Sequence, residues 1–160
     1  MCKILRVKRI RCISCLLILY VAGGCTVTFG QSWEDVCTTT SRPDCREAVA
    51  FFDRFQKAVT SDERDVVASM VRFPLRVQLE GHNATVKNKS QLLRDYDKVF
   101  TDAVQCAIAG ATRTKVWGNW QGYTVAAGVA WWEASAAPNS SFKVITINNG
   151  GFYEGCSNRK

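Results

Sequence analysis

The chain has 160 residues, 47% of them apolar, and a formal net charge of +7. That length suits one domain with a core of its own. The charge resembles a phosphate-binding signal until its placement is read. Lys3, Arg6, Lys8, Arg9 and Arg11 lie in the first thirty residues, which hold no acid. Taking those five from the 21 basic residues leaves 16 against 14 acids, so the remainder is nearly neutral. A nucleic-acid partner loses its main support.

The basic stretch "MCKILRVKRIR" is followed by the apolar run "CISCLLILYVAGG", then small residues, then the polar "QSWEDV". This order predicts a secretory signal over 1–30, cleaved after Gly30, and a single domain over 31–160. The run is too short for a spanning helix, so no transmembrane span is expected in the mature form. "VAGGC" supports an alternative, a lipid anchor on Cys25 at the outer face of a bacterial membrane. Either route places the body in a secreted or periplasmic compartment. Cys37, Cys45, Cys106 and Cys156 remain in the body, an even number in an oxidising setting. They are expected as two disulfides, with three pairings open; in one of them Cys37 with Cys45 closes a short loop, and Cys106 with Cys156 would tie a helix to the C-terminal tail. No metal site is expected, because these four hold no C-x-x-C pair and His82 is the lone histidine. No cofactor motif is present.

Pro43 or Asp44 starts the first expected helix, whose stripe is Ala48, Phe51, Phe52, Phe55, Ala58 and Val59. A short second helix follows in "SDERDVVASMV", capped at Ser61. "FPLRVQLEG" reads as a strand, at an edge or begun by Pro74. Gly81, His82 and Asn83 turn it into a short partner, "ATVK". A third helix is expected over "NKSQLLRDYDKVFTDAVQCAIAG", ended by Gly110. A strand pattern then runs from Thr112 through Trp117. The turn "GNWQG" leads to a long strand, Tyr123–Ala134, and "FKVITIN" is the last strand. Alternation along the long strand puts Tyr123, Val125, Ala127, Val129 and Trp131 on a bulky face, with Trp132 on the opposite one. Trp131 is thereby expected in the core. Helices first and strands after argue an α+β fold with a curved antiparallel sheet wrapped around about three helices.

The order of "RFPLRV" (72–77), "KNKSQLLRDYDKVFT" (87–101), "NWQGYTVAAGVAWW" (119–132) and "KVITINN" (143–149) resembles the nuclear transport factor 2-like superfamily. That fold is shared with ketosteroid isomerase-like and polyketide cyclase-like proteins, and the nearer likeness is to secreted bacterial members with no assigned activity. The resemblance implies a cone-shaped, cystatin-like roll, a bent sheet around a helix-lined pocket. Such relatives often carry polar residues near positions 127 and 129; here Ala127 and Val129 make the expected pocket apolar. The fold alone names no activity, because it hosts catalysts, binding modules and adaptors alike.

The candidate ligand residues are Arg76, Tyr96, Trp117, Tyr123 and Trp131, with Trp120 at the rim. The first expectation is a non-catalytic module that takes a small apolar ligand or pairs with a second copy through its sheet face. The alternative is an isomerase- or cyclase-like enzyme in which Glu133 abstracts a proton and Tyr96 holds an oxyanion. A third reading is an inhibitor or immunity-type partner of another secreted protein.

Overall fold

A computed structural model describes residues 37, 42–79, 81–135, 141–151 and 153–156. The expected leader 1–30, Cys25 and most of the loop at 137–141 lie outside the described residues.

Helix α1 (Cys45–Thr60) buries Cys45, Ala48, Val49, Phe51, Phe52, Phe55, Ala58 and Val59, the stripe that three- and four-residue spacing predicts. Asp44 is its N-cap residue, yet its carboxylate makes no cap bond; it is engaged by Arg42 and Tyr123 instead. Ser61 closes α1 rather than opening the next helix. Helix α2 (Arg64–Ser69) starts at the N-cap Glu63 and turns Val67 and Ala68 inward.

The long helix expected over 88–110 is three. Helix α3 (Lys89–Arg94) is capped by the Asn88 side chain, which accepts from Gln91 N at 2.9 Å. Helix α4 (Tyr96–Val99) is a single turn. Helix α5 (Asp102–Gly110) starts afresh at Thr101, whose hydroxyl accepts from Val104 N. A threonine N-cap competes with helix continuation, because its side chain replaces the carbonyl partner of an earlier turn. The apolar stripe survives both breaks, so Leu92, Tyr96, Val99, Phe100, Val104 and Ile108 are all buried.

Six strands follow: β1 (Val71–Leu79), β2 (His82–Val86), β3 (Trp117–Asn119), β4 (Gly122–Val125), β5 (Ala130–Ala134) and β6 (Phe142–Asn148). They form one open, curved sheet in the order β2-β1-β6-β5-β4-β3. It is mixed rather than wholly antiparallel, because β6 runs parallel to β1. Strand β1 is internal, between β2 and β6. Pro74 is accommodated there by a register break, between the pairs Val71 with Val144 and Arg76 with Thr146, where no ladder donor is required. A second irregularity falls between Trp131 and Trp132 against β6. Bulges of this kind bend a sheet.

The long strand expected over 123–134 is instead a hairpin. Its reversal is Ala126–Gly128, where Ala126, Ala127 and Gly128 all have positive φ (49°, 55° and 94°). Tyr123 therefore pairs with Trp132, Thr124 with Trp131, and Val125 with Ala130. The reversal reassigns the faces. Tyr123 and Trp132 share the core side, while Trp131 turns to the other side with Thr124. The expectation that Trp131 is a core residue is thus corrected: Trp132 is fully buried and Trp131 half-buried.

Helices and sheet enclose an aromatic core. The Trp132 ring stacks on Phe52 at 5.7 Å and on Tyr123 at 6.3 Å, and its Nε1 donates to Ala48 O at 3.2 Å. Gly122 (φ 135°) permits the β4–β5 approach; a Cβ there would lie 2.6 Å from Trp132 O. Disulfides join Cys37 to Cys45 and Cys106 to Cys156, the second linking α5 to the C-terminal segment. No helix among the described residues is long and apolar enough to cross a membrane.

Candidate functional site

The register of the sheet lines up one residue from each strand on the face away from the helices. Across the sheet they run Thr85, Arg76, Thr146, Trp131, Thr124 and Trp117. Beside this row lies a second, Asn83, Gln78 and Asn148, again in register. Between and around the rows opens a concavity of about 480 Å³, to which Gln121 of the β3–β4 turn also contributes. On β1 alternation gives the core Leu75 and Val77 and leaves Arg76 and Gln78 outside. On β6 the irregularity against β5 interrupts the alternation, so the core takes Val144 and Ile147 while Ile145, Thr146 and Asn148 line the concavity.

At one end of the row Trp117 and Trp131 meet edge to face, with centroids 6.4 Å apart. Thr124, between them in the register, is buried and donates to Ala130 O at 2.9 Å. Asn148 Nδ2 donates to Gly128 O at 2.6 Å, so the β4–β5 reversal is fixed to β6. That bond leaves the Asn148 carbonyl oxygen for the concavity. Arg76 is exposed and is the one charged residue in the lining. It makes no ion pair among the described residues.

The sequence-predicted site residues divide between the two faces of the sheet. Arg76, Trp117 and Trp131 fall together on the outer face. Tyr96 and Tyr123 lie in the core on the other side, 1% and 0% exposed. Tyr96 stacks on Phe100 at 4.7 Å, and Arg64 covers its ring at 4.7 Å. Its hydroxyl is buried with no hydrogen-bond partner among the described residues, and burial pushes its pKa well up. Glu133 is ion-paired with Arg72 on the surface. Tyr96 and Glu133 are not brought together. Trp120, at the tip of the β3–β4 turn, is 86% exposed, and His82 opens the edge strand β2 in solvent.

One cluster escaped the reading of the sequence. Arg42 donates from Nε and Nη2 to both oxygens of Asp44, and from Nη1 to Asn119 O at 3.0 Å. Tyr123 Oη donates to Asp44 Oδ1 at 2.7 Å, and the guanidinium lies over the Tyr123 ring, 4.9 Å from its centroid. An acid and a tyrosine do meet here, but not as a base and an oxyanion donor. The Arg42 hydrogen bonds hold the Asp44 carboxyl below its ordinary pKa, while burial, followed by the Asp44 contact, raises that of Tyr123. A base needs a carboxylate whose proton affinity is raised. The cluster is a clamp between the start of α1 and the β3–β4 hairpin. Its partners are 79 residues apart in the chain, and only the short Arg-Pro-Asp spacing hinted at it. Among the described residues no group of three or more His, Cys, Asp and Glu is placed to hold a metal ion. No family model, curated protein or solved structure matches this chain.

Proposed function

We propose that the chain is an exported, non-catalytic binding module of the nuclear transport factor 2-like type, and that it binds through the outer face of its sheet. The observation that carries this reading is the six-strand row centred on Arg76, Thr146 and Trp131, beside a concavity with an aromatic wall. Open sheets seldom present a half-exposed tryptophan pair beside unengaged amides unless something covers them. The order of helices and strands, with β6 between β1 and β5, supports the superfamily resemblance. The two disulfides support an oxidising compartment, secreted or periplasmic. The helix-facing side, where a small apolar ligand was expected, is occupied by Trp132, Tyr123, Phe52 and Phe100. Binding accordingly shifts to the polar outer face.

Native mass spectrometry on protein from its own host tests this reading. The expected result is a retained molecule or partner that is lost from Arg76→Gln and Trp131→Ala variants. A bare chain, or a retained mass indifferent to both substitutions, overturns it.

A further inference from the structure

Resting on that reading of the outer face, we propose that the concavity is a saccharide site and that its saccharide bears a carboxylate. Apart from Asn148, held to Gly128, and Gln121, which accepts from Asn119, the lining polar side chains are unengaged. The side chains of Arg76, Gln78, Asn83, Thr85 and Thr146 make no hydrogen bond or ion pair to another described residue. Elsewhere the surface is laced with pairs such as Arg72–Glu133, Arg113–Asp53 and Arg64–Asp97. Water satisfies the unengaged groups in the free protein, and a ligand of matching chemistry displaces it.

The chemistry of these groups narrows the ligand. Amides and hydroxyls each donate and accept, as sugar hydroxyls do. Trp131 adds a half-exposed indole whose orientation is set by its edge contact with Trp117. The negative face of such a ring suits the polarised C–H face of a pyranose. Trp131 Nε1 donates to no acceptor among the described residues and lies beside Gly128, within reach of a bound hydroxyl. Arg76 brings a planar cationic fork, and no acid lines the concavity to neutralise it; its natural complement is a carboxylate. Arg76 and Trp131 stand two strands apart in register, about 10 Å at the usual strand spacing. That is the span of a disaccharide, with the acid group of one ring at Arg76 and the other ring on Trp131.

The rival occupants fit less well. A nucleic acid strand needs a track of cations, and this site has one. A lipid finds amides where it needs an apolar floor. A second copy would bring no acid from its own concavity lining to meet Arg76.

The test is calorimetric titration of the disulfide-bonded protein with oligogalacturonate and with neutral oligogalactose of equal length. Binding of the acidic glycan is expected, with the neutral one weaker by about tenfold or more, one ion-assisted contact. Arg76→Gln should remove that preference, and Trp131→Ala should weaken both glycans by about tenfold. Lys57→Gln, on the exposed side of α1 and outside the concavity, should change neither, and thermal melts should confirm that each variant folds. Equal affinity for the two glycans overturns the proposal. So does binding indifferent to Arg76 and Trp131, or binding of neither glycan. If neither binds but sedimentation shows a dimer that Trp131→Ala dissolves, the saccharide proposal falls and the binding-face reading stands. If glycan and dimer are both absent and no molecule is retained from the host, both fall.

Discussion

Tyr123 and Trp132 oppose each other across the β4–β5 ladder, with nearly parallel rings 6.3 Å apart and no exposed surface on either. This pair, with Phe52 stacked on the indole at 5.7 Å, joins sheet to α1. Trp132→Ala is expected to destabilise the fold by about 3–5 kcal/mol, the range for deleting a fully buried aromatic. Trp131→Ala, one residue earlier on the opposite face, is expected to cost about 1 kcal/mol, mostly its edge contact with Trp117. Denaturant melts of the two variants check the contrast. Equal losses would mean that the faces of β5 are misassigned.

The Arg42–Asp44–Tyr123 clamp gives stability a pH dependence on the acid side. The Asp44 pKa is held below its ordinary 3.8, chiefly by hydrogen bonds from Arg42. A carboxyl with a lowered folded-state pKa binds protons more readily when unfolded. Its contribution is therefore complete above the unfolded value and lost as pH falls through the folded one. Asp44→Asn is expected to be less stable than the parent at about pH 7, with the gap narrowing below about pH 4. Melts of both proteins across that window measure it. A gap that stays constant down to about pH 2 would show that the Asp44 charge does not contribute.

Legibility in the sequence followed the range of the interactions. The α1 stripe and the turn at Gly118–Gly122 are local or periodic signals, and the structure agrees with them; the even cysteine count pointed to two disulfides without fixing the partners. The fragmentation at 88–110 was harder, because the apolar spacing continues unbroken across Asp95 and Thr101. The Thr101–Asp102 cap was the available sign. The reversal at 126–128 was hidden for a different reason. Alanines do not announce positive φ, and "TVAAGVAWW" reads as one apolar strand. A hairpin at that point exchanges Trp131 for Trp132 in the core, so one missed turn moved a candidate ligand wall to the other face. The convergence of Arg76, Thr146 and Trp131 depends on the parallel β1–β6 register, which no single segment encodes.

The two disulfides should differ in weight. In the chain-entropy account, a cross-link stabilises by restricting the unfolded chain, and more so for longer loops. Cys106–Cys156 spans 50 residues and Cys37–Cys45 spans 8. Paired alanine replacements are expected to cost about 4 kcal/mol for the first and about 2.5 kcal/mol for the second. Only the first encloses β3 to β6, so its removal should also raise hydrogen exchange across those strands. Equal losses for the two bonds would contradict the loop-length argument.

The reversal between β4 and β5 offers a test through backbone strain. Ala127 sits at φ 55°, ψ 30°, a left-handed conformation that costs an L-residue about 1–2 kcal/mol. Ala127→Gly removes that cost, while the freer unfolded chain returns about 0.4–1 kcal/mol of it. The expected outcome is a slightly more stable protein, by up to about 1 kcal/mol. Gly128→Ala should act the other way. At φ 94° a side chain is strained, although its Cβ would meet the Trp131 indole only at ordinary contact distance, 3.5 Å. The Gly128 carbonyl accepts from Asn148, so the strain would also disturb the outer-face concavity. In a continuous strand over 123–134 the signs differ, because glycine at 127 would weaken the strand and alanine at 128 would strengthen it. Thermal melts of these two single substitutions therefore decide between hairpin and strand, and with it which tryptophan faces outward.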